Sequence, residues 1–222
     1  MILSQKDGIT VRVMKEDDYP RVKTFMTDYF HYDEPMGMGL EEPIHLQHEE
    51  EVDRQYLAVI RQGLSIVALD DNNGGLLVGI AVAETMDPIE MAKQHKEAEE
   101  MEPNALGLSR KLIAKVEREA NIFERYGVSS YLSLLAISVH SSMWQRGVLL
   151  IISSCLFKLG RLRGLPLFIG SGTNYYSTRS AMKAGCECIH ALAYADYTDE
   201  QGRPIYNPPA PHTHIRVLAS KL

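Results

Sequence analysis

Cysteine is scarce, with three in 222 residues, and an odd count of this kind does not build a disulfide framework. Cys155 sits in an apolar, helix-like run, and Cys186 and Cys188 alternate in a strand-like one. With no second pair to complete a metal site, all three read as buried small hydrophobes. Long apolar runs are missing too: residues 147–157, GVLLIISSCLF, include two serines and a cysteine and fall short of the ~20 residues a membrane crossing needs. The opening MILSQKDGIT lacks the basic-then-apolar pattern of a secretory signal. The expectation is therefore a cytoplasmic protein without membrane contact. Basic residues are outnumbered 23 to 29, for a formal charge of −6, which argues against nucleic acid and suits a cationic ligand. Internal repeats and low-complexity tracts are absent as well.

What is present is ordinary globular material, 45% hydrophobic and 23% charged. Residues 9–15 alternate like a strand, and a helix follows in which Asp17 or Asp18 is the expected N-cap and Pro20 lies in the first turn. A second helix over residues 48–62 stops at Gly63, and the Asn73-Gly74 step signals a hairpin between two apolar strands. A charged stretch then leads into a helix over 105–127, marked by Leu112, Ile113, Val116, Ile122 and Phe123. Residues 131–139 are nearly all apolar, as a central strand buried on both faces requires. A helix from about Arg146 to Arg163, a strand at 165–170, a short helix stopped by Gly185, and strands at 186–197 and 213–220 complete the order. The fold class is mixed α/β around one central sheet, helices on both faces, as one domain over 1–222 with a helical insertion at about 87–126.

Two stretches carry chemistry. Phe25, Met26, Tyr29 and Phe30 recur at helical spacing, and Pro35 ends the helix. Asp33 and Glu34 then fall at or near a helix C-terminus, where an exposed acid costs ~0.3–1 kcal/mol. They are either a surface acid pair or acids held there for use outside the helix. The second stretch, VHSSMWQRGVLLI, runs from strand through turn to helix. A helix start of this kind seats phosphate, with Gly147 permitting close approach and Arg146 supplying charge. The eight histidines offer His45 with His48 and His212 with His214, but no third ligand at metal spacing, so no metal is expected. His140 reads as positional. The MGMGL run (36–40) and the EEP that follows form either an apolar lid or packing.

Three local patterns supply a resemblance: DEPMG after the first helix, LLAISVHSSMWQRG at the centre, and GTNYYSTRSAMKAGCECIHALAYADYTDEQGRPIYNPPAPH near the end. With the element order they resemble the GNAT acyl-CoA N-acyltransferases, and in detail the insect arylalkylamine N-acetyltransferases. The resemblance implies a sheet splayed at a cofactor cleft, acetyl-CoA as cosubstrate, and a small primary amine as acceptor, either an arylalkylamine or an aliphatic di- or polyamine. It implies that backbone groups of Ala136, Ile137, Ser138 and Val139 pair with pantetheine. The loop Trp144, Gln145, Arg146, Gly147, Val148 and Leu149 takes the pyrophosphate, with Asn174 and Tyr176 also on the cofactor. This loop departs from the family pattern: Trp144 stands at a basic position, and Val148 or Leu149 at a small one.

The resemblance makes Glu34 the general base. An amine with a pKa of ~10.4 is about one part in a thousand neutral near pH 7.4, a deficit of roughly 4 kcal/mol, and a carboxylate lifted toward neutral pH can take the surplus proton. Asp33 is left as a cap, a hydrogen-bond partner or a solvated side chain. The family's paired hydroxyls fall on Thr173 and Ser177, four residues apart, facing one side if both are helical. Ser177 would protonate the departing thiolate, with Tyr175 and Tyr176 as rivals. No cysteine has a base beside it in these motifs, so transfer is expected to be direct. The competing reading is a non-catalytic acyl-CoA-binding protein of the same fold.

Overall fold

A computed structural model describes residues 1–38, 44 and 48–222, with Tyr32 described by its backbone alone. Two strands, β1 (Ile2–Lys6) and β2 (Ile9–Val13), open the chain. The turn between them is Asp7-Gly8, both residues at positive φ, the conformation a two-residue hairpin prefers. Strand β1 was not among the expected elements, although an Asp-Gly step announces such a turn. The first helix, α1 (Tyr19–Tyr29), starts without a side-chain cap. Asp18 instead receives both guanidinium nitrogens of Arg12 at 2.7 Å and the Lys15 amide at 2.8 Å, so an ion pair takes the carboxylate expected to cap the helix.

The chain continues through α2 (Glu49–Arg61), β3 (Ile66–Asp70) and β4 (Leu76–Met86). The stretch between β4 and the central strand forms three helices, α3 (Pro88–Glu100), α4 (Ala105–Ala120) and α5 (Ile122–Tyr126). The single helix expected over 105–127 is broken because Asn121 takes a left-handed conformation, φ 47° and ψ 51°. Then come β5 (Tyr131–Val139), α6 (Val148–Leu162), β6 (Leu167–Gly172), α7 (Tyr175–Lys183), β7 (Glu187–Ala193) and β8 (His214–Lys221). Strand β7 is shorter than expected, because Tyr194–Asp196 turn out of the sheet as a 3-10 helix.

The eight strands form one mixed sheet in the order β1-β2-β3-β4-β5-β6-β8-β7. Every neighbouring pair is antiparallel except β5 with β6, which the crossover through α6 makes parallel. Alternate residues of the sheet feed opposite faces. Ile66, Ala68, Val78 and Leu132 pack with Ile152, Leu156 and Leu159 of α6. On the other face, Val67, Ile80 and Val82 pack with Val22 and Met26 of α1 and Val59 of α2, and Leu167, Ile169 and Val217 pack with Leu112 and Val116 of α4. Ala136 of β5 belongs to the first of these last two cores and Ile169 of β6 to the second.

Candidate active site

Strand β5 is paired along its whole length with β4, Ala136 to Val139 facing Val82, Ala81, Ile80 and Gly79 in turn. With β6 it pairs only through Leu132, Ser133 and Leu134, while β6 stays on β8 as far as Gly172. Beyond Leu134 and Gly170 the two parallel strands part. The cause is local: the register with β4 steps from Leu134 to Ala136, so Leu135 is an extra residue, and a bulged strand bends away from its neighbour. The backbone edge of Ala136–Val139 that faces β6 is left for an extended ligand to pair with. Side chains there serve the protein: Ala136, Ser138 and Val139 are buried, and the Ser138 hydroxyl donates to the Tyr29 carbonyl.

On the α6 side of the sheet a cleft, partly open to solvent, is lined by Leu134, Ile137, Leu149, Phe168, Ser177 and Cys186. The loop from β5 to α6 forms its approach. The Trp144 ring is 60% exposed, yet its indole N–H donates to the Val139 carbonyl at 3.0 Å, which fixes the ring's edge. Gln145 and Gly147 both have positive φ, 62° and 78°, and Arg146 is exposed beside Met143. Val148 turns its side chain into the core and offers the loop only backbone, and Leu149 lines the cleft. As the first two residues of α6, both have amides with no carbonyl one turn earlier to receive them. His140 ties this loop to α1. Its Nδ1 accepts from the Ser142 amide at 3.1 Å, so in the neutral ring the proton sits on Nε2, which faces the Tyr29 hydroxyl at 2.8 Å.

Glu34 lies on the opposite face of the sheet. Helix α1 stops at Tyr29, the 3-10 turn His31–Asp33 follows, and Glu34 is extended, φ −76° and ψ 115°. Its Oε2 accepts from the Thr173 hydroxyl at 2.9 Å and its Oε1 from the Met36 amide at 3.4 Å. Burial pushes the Glu34 carboxyl up to about 7, against both hydrogen bonds, which favour the charged form. Burial raises the phenols of Tyr56, Tyr194 and Tyr206, and the charge of Glu34 adds to the rise in each. Burial above all lifts that of Tyr56 to about 12, with Arg110 pulling the other way.

The β6–α7 junction joins the two sides. Thr173 is not helical, so it shares no helix face with Ser177; it stands between the end of β6 and the N-cap Asn174. The Asn174 amide is engaged at both ends: its oxygen accepts from the Tyr176 and Ser177 amides at 2.9 and 3.4 Å, and its nitrogen donates to the Asp33 carbonyl at 3.3 Å. Asp33 therefore contributes its backbone, and its side chain is exposed. The Ser177 hydroxyl donates to the Asn174 carbonyl at 3.0 Å. Tyr176 is 62% exposed, while the Tyr175 amide donates to the buried His212 at 3.2 Å. Gly172 lets β6 pass this close to α7, since a Cβ there would lie 2.4 Å from the Thr178 hydroxyl.

Several residues of this neighbourhood went unnoticed in the sequence. Glu84 is buried on β4 and receives Gln94 at 3.1 Å, and Glu117 of α4 receives the Ser171 hydroxyl at 3.1 Å. An acid inside the apolar run LLVGIAVAETM was a signal for the first; nothing in the sequence joined Glu117 to Ser171. No cluster of metal-ligating side chains occurs among the described residues, and no helix among them is long and apolar enough to cross a membrane. His45 and residues 39–43 of the expected lid lie outside the described residues. Met36 of that run is buried against Tyr194 and Tyr206.

No protein-family model matches the chain. Solved structures do. An agmatine N-acetyltransferase superposes with a TM-score of 0.87 at 25% identity, over 97% of this chain and all of that one. The polyamine N-acetyltransferase of Drosophila melanogaster gives 0.86 at 25%, over 96% and 100%. A mosquito arylalkylamine N-acetyltransferase, like 5b, gives 0.85 at 24%, again over 96% and 100%. The chain has the GNAT N-acetyltransferase fold, and among its structural relatives are the insect arylalkylamine and polyamine N-acetyltransferases.

Proposed function

We propose that this chain, acting as one domain, transfers the acetyl group of acetyl-CoA directly to a primary amine. The observation that carries the reading is Glu34: a carboxylate raised to about 7 by burial, held by Thr173, on the far side of a parted β5–β6 pair from the cleft that Ser177 lines. The protein's own groups fit the cosubstrate. The open edge of Ala136–Val139 suits the amides of pantetheine, and the residues from Trp144 to Leu149, with the start of α6, suit the pyrophosphate. Asn174 and Tyr176 complete the cofactor side.

Glu34, ionised, attracts the ammonium and takes one proton. The neutral nitrogen then attacks the thioester carbonyl carbon; a C–N bond forms and the C–S bond breaks, Ser177 gives its hydroxyl proton to the departing thiolate, and the second proton, which the nitrogen sheds in becoming an amide, passes through solvent to restore the serine hydroxyl. A pKa near 7 suits Glu34 for this, since it is largely ionised at working pH yet still a useful base. The acceptor is an arylalkylamine of the dopamine or tryptamine kind, or an aliphatic di- or polyamine. The Glu34 carboxylate and the excess of acidic residues favour a cation of either sort.

Titration calorimetry with acetyl-CoA, followed by a thiol-release assay over dopamine, tryptamine, putrescine and agmatine, tests this. Amine-dependent release of CoASH is expected. Tight binding without release from any amine would identify a non-catalytic acyl-CoA-binding protein instead.

A further inference from the structure

Strand β5 turns alternate backbone groups to its two edges. The His140 amide donates to the Val78 carbonyl at 2.9 Å, while Val139 stands opposite Gly79 and Ile137 opposite Ala81. His140 and Ser138 therefore point their groups at β4, and Val139 and Ile137 point theirs at the edge that β6 has left. One of those groups is already taken. The Val139 carbonyl accepts the Trp144 indole N–H at 3.0 Å. What the edge still offers an extended ligand is the amide and carbonyl of Ile137, whose side chain lines the cleft, and the amide of Val139.

Trp144 is the one tryptophan of the chain. Its N–H is anchored while its side chain is 60% exposed, so a large apolar surface stands in solvent beside the open strand edge. A ligand laid along that edge from Ile137 toward the first amides of α6 has to pass Val139, and there it meets the indole. It either pushes the ring off the carbonyl or runs against the ring. Pushing it off exchanges one N–H···O bond for another and leaves the ring in water, with no net gain, and a carbonyl has a second lone pair to accept with in any case. Running against the ring removes apolar surface from water, and the gain grows with the area covered. The second arrangement is the favoured one.

We propose that Trp144 stays on the Val139 carbonyl and forms a wall of the cosubstrate groove, its ring covered by the pantetheine arm of acetyl-CoA. This rests on the acetyl-transfer reading, and it gives Trp144 to the arm, leaving the pyrophosphate to the loop that follows. Trp144 is then a binding residue for the acyl donor and touches no reacting atom.

Because the tryptophan is single, fluorescence excited beyond the tyrosine absorption reads this ring alone. On titration of the wild-type protein with acetyl-CoA, the emission should move to shorter wavelength and quenching by acrylamide should fall. ADP, which carries the adenine and pyrophosphate without the arm, should change neither. By calorimetry, Trp144→Ala should weaken acetyl-CoA binding by about 5- to 50-fold. Trp144→Phe, which keeps most of the ring and loses the N–H, should weaken it by only about 2- to 10-fold. A shift to longer wavelength with easier quenching, or variants that bind acetyl-CoA more tightly than wild type, would mean that the ring is pushed off Val139 and would overturn the proposal. A response to ADP as large as that to acetyl-CoA would put the adenine on the ring and overturn it too. If the wild-type protein takes up no acetyl-CoA in the calorimeter, the acetyl-transfer reading itself fails. That result is distinct from tight binding that leaves the tryptophan spectrum unmoved, which overturns the role of Trp144 alone.

Discussion

The hydroxyl of Thr173 donates to Glu34 Oε2 at 2.9 Å, and the two residues come from opposite ends of the chain. Thr173 follows β6, in the half of the molecule that carries the cleft; Glu34 follows α1. The same junction repeats the tie one residue on, where Asn174 donates to the Asp33 carbonyl. Residues 33–34 are thus pinned to residues 173–174, and the acid is fixed at the mouth of the splay although no regular element carries it.

Replacing Glu34 with Gln should lower turnover by about 10²- to 10⁴-fold near pH 7. The deficit should shrink as rising pH deprotonates the amine without help. In the wild-type protein kcat/KM should climb through a pKa near 7, as Glu34 loses its proton. A thiol-release profile from pH 5.5 to 9.5 checks both, and a deficit independent of pH would remove Glu34 from the role of base.

The same substitution should stabilise the fold. The carboxyl is raised from 4.5 to about 7 on folding, so the native state binds more protons than the unfolded one across that window, and stability falls as pH rises through it. Allowing for the partial exposure of Glu34, the cost above pH 7 is roughly 1–3 kcal/mol. Glu34→Gln should therefore melt a few degrees higher at pH 8 and much like the wild type at pH 4. An unchanged melting temperature at pH 8 contradicts the burial of the charge.

Thr173→Val removes a hydrogen bond that favours ionised Glu34 while leaving the burial that opposes it. The acid limb of the pH–rate profile should move to higher pH, so that activity drops most below pH 7 and recovers above it. Thr173→Ser, which keeps the hydroxyl, should restore the wild-type profile. A uniform loss at every pH would point to misplacement of Glu34 in place of a shifted pKa.

Ser177 lines the cleft, whereas the Tyr176 ring is largely in solvent. Ser177→Ala is expected to reduce kcat by about 10- to 100-fold with little change in either KM, and Tyr176→Phe to leave kcat within twofold. The reverse pattern would transfer the donor role to the phenol.

Gly147→Ala isolates the loop. Nothing lies within 4 Å of the Cβ it would add, so the effect is confined to the backbone, where an L-residue at φ 78° is strained by about 1–2 kcal/mol. KM for acetyl-CoA should rise severalfold with the amine KM unaffected. Parallel rises in both would mean that the strain reaches Glu34, along the link from His140 to Tyr29.

Most of the order of elements could be read from local pattern, because helix and strand periods, Gly63, Gly185 and the Asn73-Gly74 turn act over a few residues. The reading slipped where a side chain chose another use: Asp18 left its cap for Arg12, and Asn121 took the left-handed conformation that asparagine tolerates and broke a helix whose apolar period continues across it. Glu34 and Ser177 were identified by their resemblance to a family, and no spacing in the chain relates them.

The sequence by itself determined most of the strands and helices, that one central strand is nearly all apolar, and that an acid stands just beyond a helix whose end repels it. Only the tertiary structure decided that β5 leaves β6 after Leu134, that Thr173 reaches Glu34 across the chain, and that the buried Tyr206 hydroxyl has no partner among the described residues. The division is physical. Periodicity and turn chemistry are set by neighbours along the chain, whereas a carboxylate's pKa, a strand's departure from its neighbour and the satisfaction of a buried hydroxyl depend on residues that folding alone brings together.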